Sequence, residues 1–170
     1  TEKLVPVMAA MYLIGGAIIL VMNFTQLPHA FWMIFKGAFN PAAATGGLIG
    51  VSIKQAVRYG VARGLFSNEA GMGSTPHAHA VAKVNHPCEQ GYAAIISVFI
   101  DTFCVHNMTA FVIFVTGAID GHTSGIALTQ KAFSIGLGQL GVPFVALCLF
   151  FFAFSTVIGW YFYGEQNIIF

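Results

Sequence analysis

The sequence predicts an all-α, polytopic membrane protein. Hydrophobic residues make up 57% of the chain, only 8% of residues are charged, and the mean hydropathy is +0.79. A soluble domain is typically about one-quarter charged. With so little charge a soluble domain could not cover its own surface, whereas a lipid-facing one need not. Three apolar stretches also reach the roughly 20 residues that a helix needs to span a bilayer. Seventeen phenylalanines and nineteen glycines fit lipid-facing bulk and close helix–helix packing. A net charge of +1 excludes the concentrated basic face of a nucleic-acid binder. The three cysteines, Cys88, Cys104 and Cys148, are too scattered for a disulfide framework and read as small apolar packers.

Taken in order, the first span is Leu4 to Phe24, uncharged throughout, with Gly15-Gly16 at its centre. Leu27 to Phe39 is short, aromatic and amphipathic, and suits a helix lying at the membrane surface. Residues 48–82 are mildly apolar but carry Lys54, Arg58, Arg63 and Glu69, with glycines at 60, 64, 71 and 73. They read as a broken span. The first half runs to about Leu65, and Phe66 to Ser74 is unwound because its glycine-flanked composition makes a poor helix. A second half restarts at Thr75-Pro76, with Thr75 as N-cap and Pro76 at the first helical position, where its missing N–H is harmless. An ordinary loop between two helices is the plain alternative. The last two spans are Tyr92 to Ile119, apolar apart from Asp101, His106 and Asn107, and Val142 to Tyr163, which contains Ser155-Thr156 and Gly159.

The chain starts at Thr1 with no charged segment before a cleavage site, and it stops while still apolar, at Ile168-Ile169-Phe170. The expectation is a piece of a longer protein without a signal peptide. Lys3 and Lys83 fall on one side of the spans, Lys36 and Lys131 on the other, so charge does not orient the protein.

A charge at bilayer depth costs about 2.5–3.5 kcal/mol on insertion scales, so Glu69 must face protein or water. It can serve as a proton-coupling carboxylate, or as a brace that pairs with Arg63 or bonds the unwound backbone. Asp101, early in its span, reads as an interfacial or helix-pairing residue. His77, His79, His86 and Cys88 invite a metal reading, but positions i and i+2 on a helix face apart and zinc-ligand spacings are missing. No G-x-S-x-G or H-E-x-x-H motif is present, and no recognisable Ser-His-Asp triad.

The run RGLFSNEAGMGSTPHAHA at positions 63–80, followed by His86-Pro87 and Gln90-Gly91, closely resembles the signature of the alanine/glycine:cation symporter family. The resemblance extends to QLPHAFWMIFKGAF upstream and FFAFSTVIGWYFYGEQN downstream, and so covers essentially the whole chain. It implies part of a LeuT-like inverted-repeat transporter, about helices 5 to 8, in a single domain completed by the remaining helices of the same protein. The implied function is sodium-coupled symport of a small neutral amino acid, alanine or glycine, across a bacterial or archaeal plasma membrane. Na+ would be the coupling ion; no cofactor and no other metal are expected.

The implied substrate-binding set is Phe66, Ser67, Asn68, Glu69, Gly71 and Met72. Carbonyls near Phe66 and Ser67 would receive the substrate ammonium, Met72 would line the side-chain pocket, and Phe66 would act as a lid. An unwound helix supports this physically, because it exposes backbone N–H and C=O groups and aims two half-helix dipoles at the gap. Ser155 and Thr156 would supply hydroxyl oxygens to the sodium, a hard cation that takes oxygen ligands. Their plain alternative is a hydrogen bond to the carbonyl one turn back. A proton-coupled transporter, an ion channel, and a membrane-embedded hydrolase or metalloenzyme using Glu69, Asp101 and the histidines are the rival readings.

Overall fold

A computed structural model describes residues 3–39, 49–69 and 72–169, and every regular element among them is helical. In chain order these are α1 (Leu4–Met22), a 3-10 turn (Phe24–Gln26), α2 (Leu27–Phe39), α3 (Ile49–Ser67) and α4 (Thr75–Ala80). Then follow α5 (Pro87–Ile100), a π-helical segment (Asp101–His106), α6 (Asn107–Val115), α7 (Ile126–Leu137), a second 3-10 turn (Gly138–Leu140) and α8 (Gly141–Ile169).

Proline and asparagine mark the helix ends. Pro6, Pro28, Pro76, Pro87 and Pro143 all stand in the first turn of a helix, where no intrahelical N–H bond is lost. Pro87 therefore opens α5, several residues earlier than hydropathy places the start of that span. Asn23 ends α1 by donating both its N–H and its side-chain amide to the Ile19 carbonyl, at 3.1 and 2.9 Å. Asn68 does the same to Gly64 at the end of α3, at 3.2 and 3.3 Å. Carbonyls that a terminating helix leaves without partners are satisfied this way.

Among the described residues, three helical runs are long and apolar enough to cross a membrane: Leu4–Met22, Pro87–Val115 and Ile126–Ile168. The charged α3 is not among them. Much of the apolar surface is exposed in this chain, including Ile14, Ile18 and Val21 on α1 and Phe150, Phe154 and Tyr161 on α8. A water-soluble protein rarely sustains so extended an apolar face.

The chain divides into two compact units, Thr1–Leu27 with Phe99–Phe170, and Pro28–Val98. The first holds the core: Tyr12, Ile19, Val112, Ala118, Ala132, Phe133, Val145 and Cys148. The Tyr12 ring lies 5.5 Å from Phe133 and 5.8 Å, edge-on, from Phe152. Its hydroxyl shares a 2.7 Å hydrogen bond with Thr109, which keeps the polar end of a buried ring satisfied. Close packing supplies the rest. Without a hydrophobic drive between helices in lipid, contact between small residues and their neighbours has to hold them. At Gly141 any side chain would run into the Phe133 backbone, so the start of α8 can lie against α7 only with glycine there.

Between α6 and α7 the loop is held by Asp120. Its carboxylate accepts the Thr123 hydroxyl at 2.6 Å, the Thr123 N–H at 2.7 Å, the Lys131 ammonium at 2.9 Å and the His122 N–H at 3.0 Å. These bonds, the Thr123 hydroxyl foremost, hold the carboxyl far below the usual carboxylate range. A carboxyl depressed on folding stabilises the fold above its unfolded pKa of about 3.9, and that contribution fades as pH falls through the folded value. Amides of 121–131 should therefore keep their hydrogen-exchange protection from neutral pH to about pH 4 and lose it only in stronger acid. Asp120→Asn should weaken that protection at every pH.

Candidate functional site

The site expected from sequence falls in the second unit, where helix gives way between α3 and α4. Ser67 is the last residue of α3, and Glu69 follows with φ of 51°, the single left-handed non-glycine residue among those described. Its N–H donates to the Phe66 carbonyl at 3.1 Å, a tightened turn that closes the helix. Met72 N–H donates back to the Glu69 carbonyl at 3.4 Å, and Gly73 turns with φ of 83°, where a side chain would be strained. Helix resumes at Thr75.

The Glu69 carboxylate joins the two sides of this break. A single oxygen, Oε2, accepts the Ser74 hydroxyl at 2.8 Å and the Thr75 hydroxyl at 3.1 Å. This corrects the expected cap. Ser74, not Thr75, precedes the helix; Thr75 is its first residue and Pro76 its second. Neither hydroxyl caps the helix, because both are committed to Glu69. The carboxylate thus braces the break through two hydroxyls five and six residues on, partners that the sequence reading did not name. A Ser-Thr pair placed just after the glycines was the available signal.

The other expected site residues are placed as follows. Phe66 and Met72 have exposed side chains, and Ser67 and Asn68 form the last helical residue and the first turn residue. Gly71 lies outside the described residues. The Phe66 carbonyl already accepts the Glu69 N–H, but a carbonyl oxygen has two lone pairs and can accept a second donor.

Ser155 and Thr156 belong to the first unit. Both hydroxyls donate to the Phe152 carbonyl, at 2.9 and 2.8 Å, and the Ser155 oxygen lies 3.8 Å from the Met8 sulfur. Their own protons are therefore spent on the backbone, and each oxygen keeps lone pairs that can face a cation. The same geometry serves the plain structural role and the ligand role.

Of the residues that invited a metal reading, His79 Nδ1 is bonded to the Gln90 amide at 2.7 Å, and His86 Nδ1 accepts the Cys88 N–H at 3.2 Å. The first of these ties α4 to α5. Asp101 also moves. With α5 opening at Pro87, Asp101 is the midpoint of the continuous helical run Pro87–Val115 rather than a residue near its start. It begins the π-helical segment, at whose end His106 turns back to it.

A family model described as the sodium:alanine symporter family matches residues 1–170. The chain belongs to the sodium:alanine symporter family. Relatives in this family of transporters include the sodium/alanine symporter AgcS of Methanococcus maripaludis, 43% identical over 98% of the chain. The putative sodium/proton-dependent alanine carrier protein YrbD of Bacillus subtilis is also 43% identical over 98% of the chain. The probable sodium/glutamine symporter GlnT of the same organism is 42% identical over 98%. The chain spans little more than a third of their lengths: 36%, 37% and 34% respectively. Family membership places the chain among transporters rather than enzymes.

The brace can be tested apart from transport. Hydrogen bonds to a charged group are worth about 1.5–3 kcal/mol, so Glu69→Ala should release the start of α4. Hydrogen exchange of the amides of 72–80 should speed up clearly in Glu69→Ala and much less in Glu69→Gln, whose amide oxygen can still accept both hydroxyls. Equal exchange in all three proteins would remove the brace.

Proposed function

We propose that this chain is the part of a sodium-coupled symporter that holds much of the binding site for a small neutral amino acid, in the bacterial or archaeal cell membrane. The observation that carries the reading is the break between Ser67 and Thr75. It ends one helix and starts another within a few residues, a pattern that supports a gap where backbone groups and half-helix dipoles are turned toward a ligand. An amino acid needs just such a mixed surface: carbonyls for its ammonium, and N–H groups or a cation for its carboxylate. Phe66, Ser67, Asn68, Glu69, Gly71 and Met72 are the residues proposed to meet the substrate. Residues 48–82 are then a broken span in the LeuT-like manner, and α2, with Phe31, Trp32 and Phe35 exposed and Lys36 in its last turn, lies at the membrane surface.

Sodium is proposed at Ser155 and Thr156, completed by oxygens from outside this chain. Names among the relatives support the choice of ion: two are called sodium symporters and a third sodium/proton-dependent. They support the cargo less narrowly, since alanine and glutamine both occur in names of relatives at nearly equal identity. The deciding experiment is uptake of labelled alanine by the full-length transporter in vesicles. Uptake should rise with an inward sodium gradient and stay at background without one.

Replacing Ser155 with Ala and Thr156 with Val removes two neutral oxygens from the ion's shell. The double variant should raise the sodium concentration for half-maximal uptake roughly tenfold, as expected for about 1.4 kcal/mol of lost binding. Unchanged sodium dependence in well-expressed protein would leave the hydroxyls with their backbone role alone.

Met72 tests the pocket. Its bulk is proposed to hold cargo size down, and one methylene in an apolar pocket discriminates by about 1–3 kcal/mol. Met72→Ala should let valine, leucine and glutamine compete against labelled alanine, and should weaken alanine itself through lost dispersion contacts. An unchanged competition profile would show that the side chain points away from the cargo.

A further inference from the structure

The middle of the run Pro87–Val115 carries chemistry that the amino-acid site does not use. Residues 101–106 form a π-helical segment, a form that is rare and recurs at functional sites because its wider turn displaces side chains from the ordinary helical register. Its first and last residues are ionisable, and they meet. His106 Nδ1 lies 2.9 Å from the Asp101 carbonyl oxygen and 3.4 Å from the Asp101 carboxylate. A carbonyl can only accept, so at 2.9 Å Nδ1 must carry hydrogen. That selects the tautomer in which Nε2 is the nitrogen that gains a proton.

His106 also lines a pocket of about 530 Å³ within the first unit. Around it stand Tyr12 and Phe152 of α1 and α8, Thr109 of α6, and Thr129 of α7. The other titratable groups on this pocket are the Tyr12 phenol, bonded to Thr109, and the Cys148 thiol. Cys104 lies on the π segment itself. Among the described residues the pocket lining holds no lysine, arginine or glutamate.

We propose that Asp101 and His106 form a single proton-binding site in the middle of this helix, and that loading the site is coupled to the transport cycle. The proton comes from solvent and adds to Nε2 of His106. The pair then carries one positive and one negative charge and is neutral as a whole; without the proton it carries a net negative charge. In this structure the His106 and Asp101 side chains are 48% and 37% exposed; moving a net charge from there into low dielectric is costly, whereas moving a paired one is far less so. A conformation that closes the pocket and excludes water therefore favours the loaded pair, and by linkage the proton favours the closed conformation. This adds to the transport reading above the residues at which protons act on it, separate from those proposed for sodium and for the amino acid.

Two measurements test the site, and one of them is independent of transport. The first is nitrogen NMR of the His106 imidazole in the full-length protein, assigned by its loss in His106→Gln. The ring should pass from the Nδ1–H neutral form to the doubly protonated form as the pH is lowered from mildly alkaline to mildly acid, and Asp101→Asn should move that transition. A ring that keeps one protonation state throughout, or a transition that ignores Asp101→Asn, overturns the site whether or not the protein transports alanine. The second is sodium-driven alanine uptake over the same pH range at fixed sodium. Wild type should change roughly threefold or more, while His106→Gln and Asp101→Asn should each flatten the profile. Variants that take up alanine with the wild-type pH profile overturn the coupling. If no variant and no wild type takes up alanine, the transport reading fails and the coupling with it, while the NMR arm still decides the proton site.

Discussion

A carboxylate that holds two hydroxyls across a gap in a helix is the constraint around which the second unit is built. Glu69 sits in a left-handed conformation that a non-glycine residue adopts only at some energetic expense, and its Oε2 reaches forward to Ser74 and Thr75. The backbone turn and the side-chain bonds depend on one another. The left-handed residue ends α3 and aims the carboxylate; the carboxylate fixes where α4 begins. An open, glycine-rich stretch would otherwise have many conformations and would present no fixed set of carbonyls and amides to a ligand. In the proposed reading, the brace turns that stretch into a site by organising its backbone before cargo arrives.

The first unit solves a different problem. Its helices have few polar groups and little hydrophobic drive to associate in lipid, so contact has to be close. Gly15 and Gly16 face Phe144 and Met108, Gly136 faces Ile19, and Gly141 touches the Phe133 backbone. The polar atoms inside, such as the Tyr12 and Thr109 hydroxyls, are paired with each other or with backbone. The resulting packed body has two exceptions, the π segment and the hydroxyl pair of α8. Both hold lone pairs or a titratable ring within largely apolar helical runs, and both are the places proposed for ions.

Much of this architecture is legible in the sequence, for reasons that also mark the limits. Uninterrupted apolar runs disclose α1 and α8 as long helices, because a helix that crosses a bilayer is what accommodates so many consecutive apolar residues. Where those helices stop is less legible: α8 continues past Tyr163 through Glu165 and Gln166, since polarity alone does not end a helix. The restart after the break is readable from Pro76, whose ring belongs in a first turn. The left-handed residue is not readable. Gly71 and Gly73 advertise that conformation for themselves, whereas Glu69 adopts it with its carboxylate bonded to two hydroxyls. The π segment has no compositional signature at all, and Asp101, expected early in its span, lies at the midpoint of the helical run that Pro87 opens. The ion-ligand role of Ser155 and Thr156 rests on family resemblance, since their bonds to Phe152 fit a helix hydroxyl of any function.

Equilibrium binding of labelled alanine to the full-length transporter, in saturating sodium, tests most directly whether the braced break builds the site. Wild type and Glu69→Ala should be compared at matched amounts of folded protein, so that expression does not enter. If the brace organises the backbone that holds the amino acid, Glu69→Ala should bind alanine at least about tenfold more weakly, with Glu69→Gln in between. Alanine affinity equal to wild type in Glu69→Ala would contradict the account, because the cargo would then not depend on the geometry that Glu69 imposes.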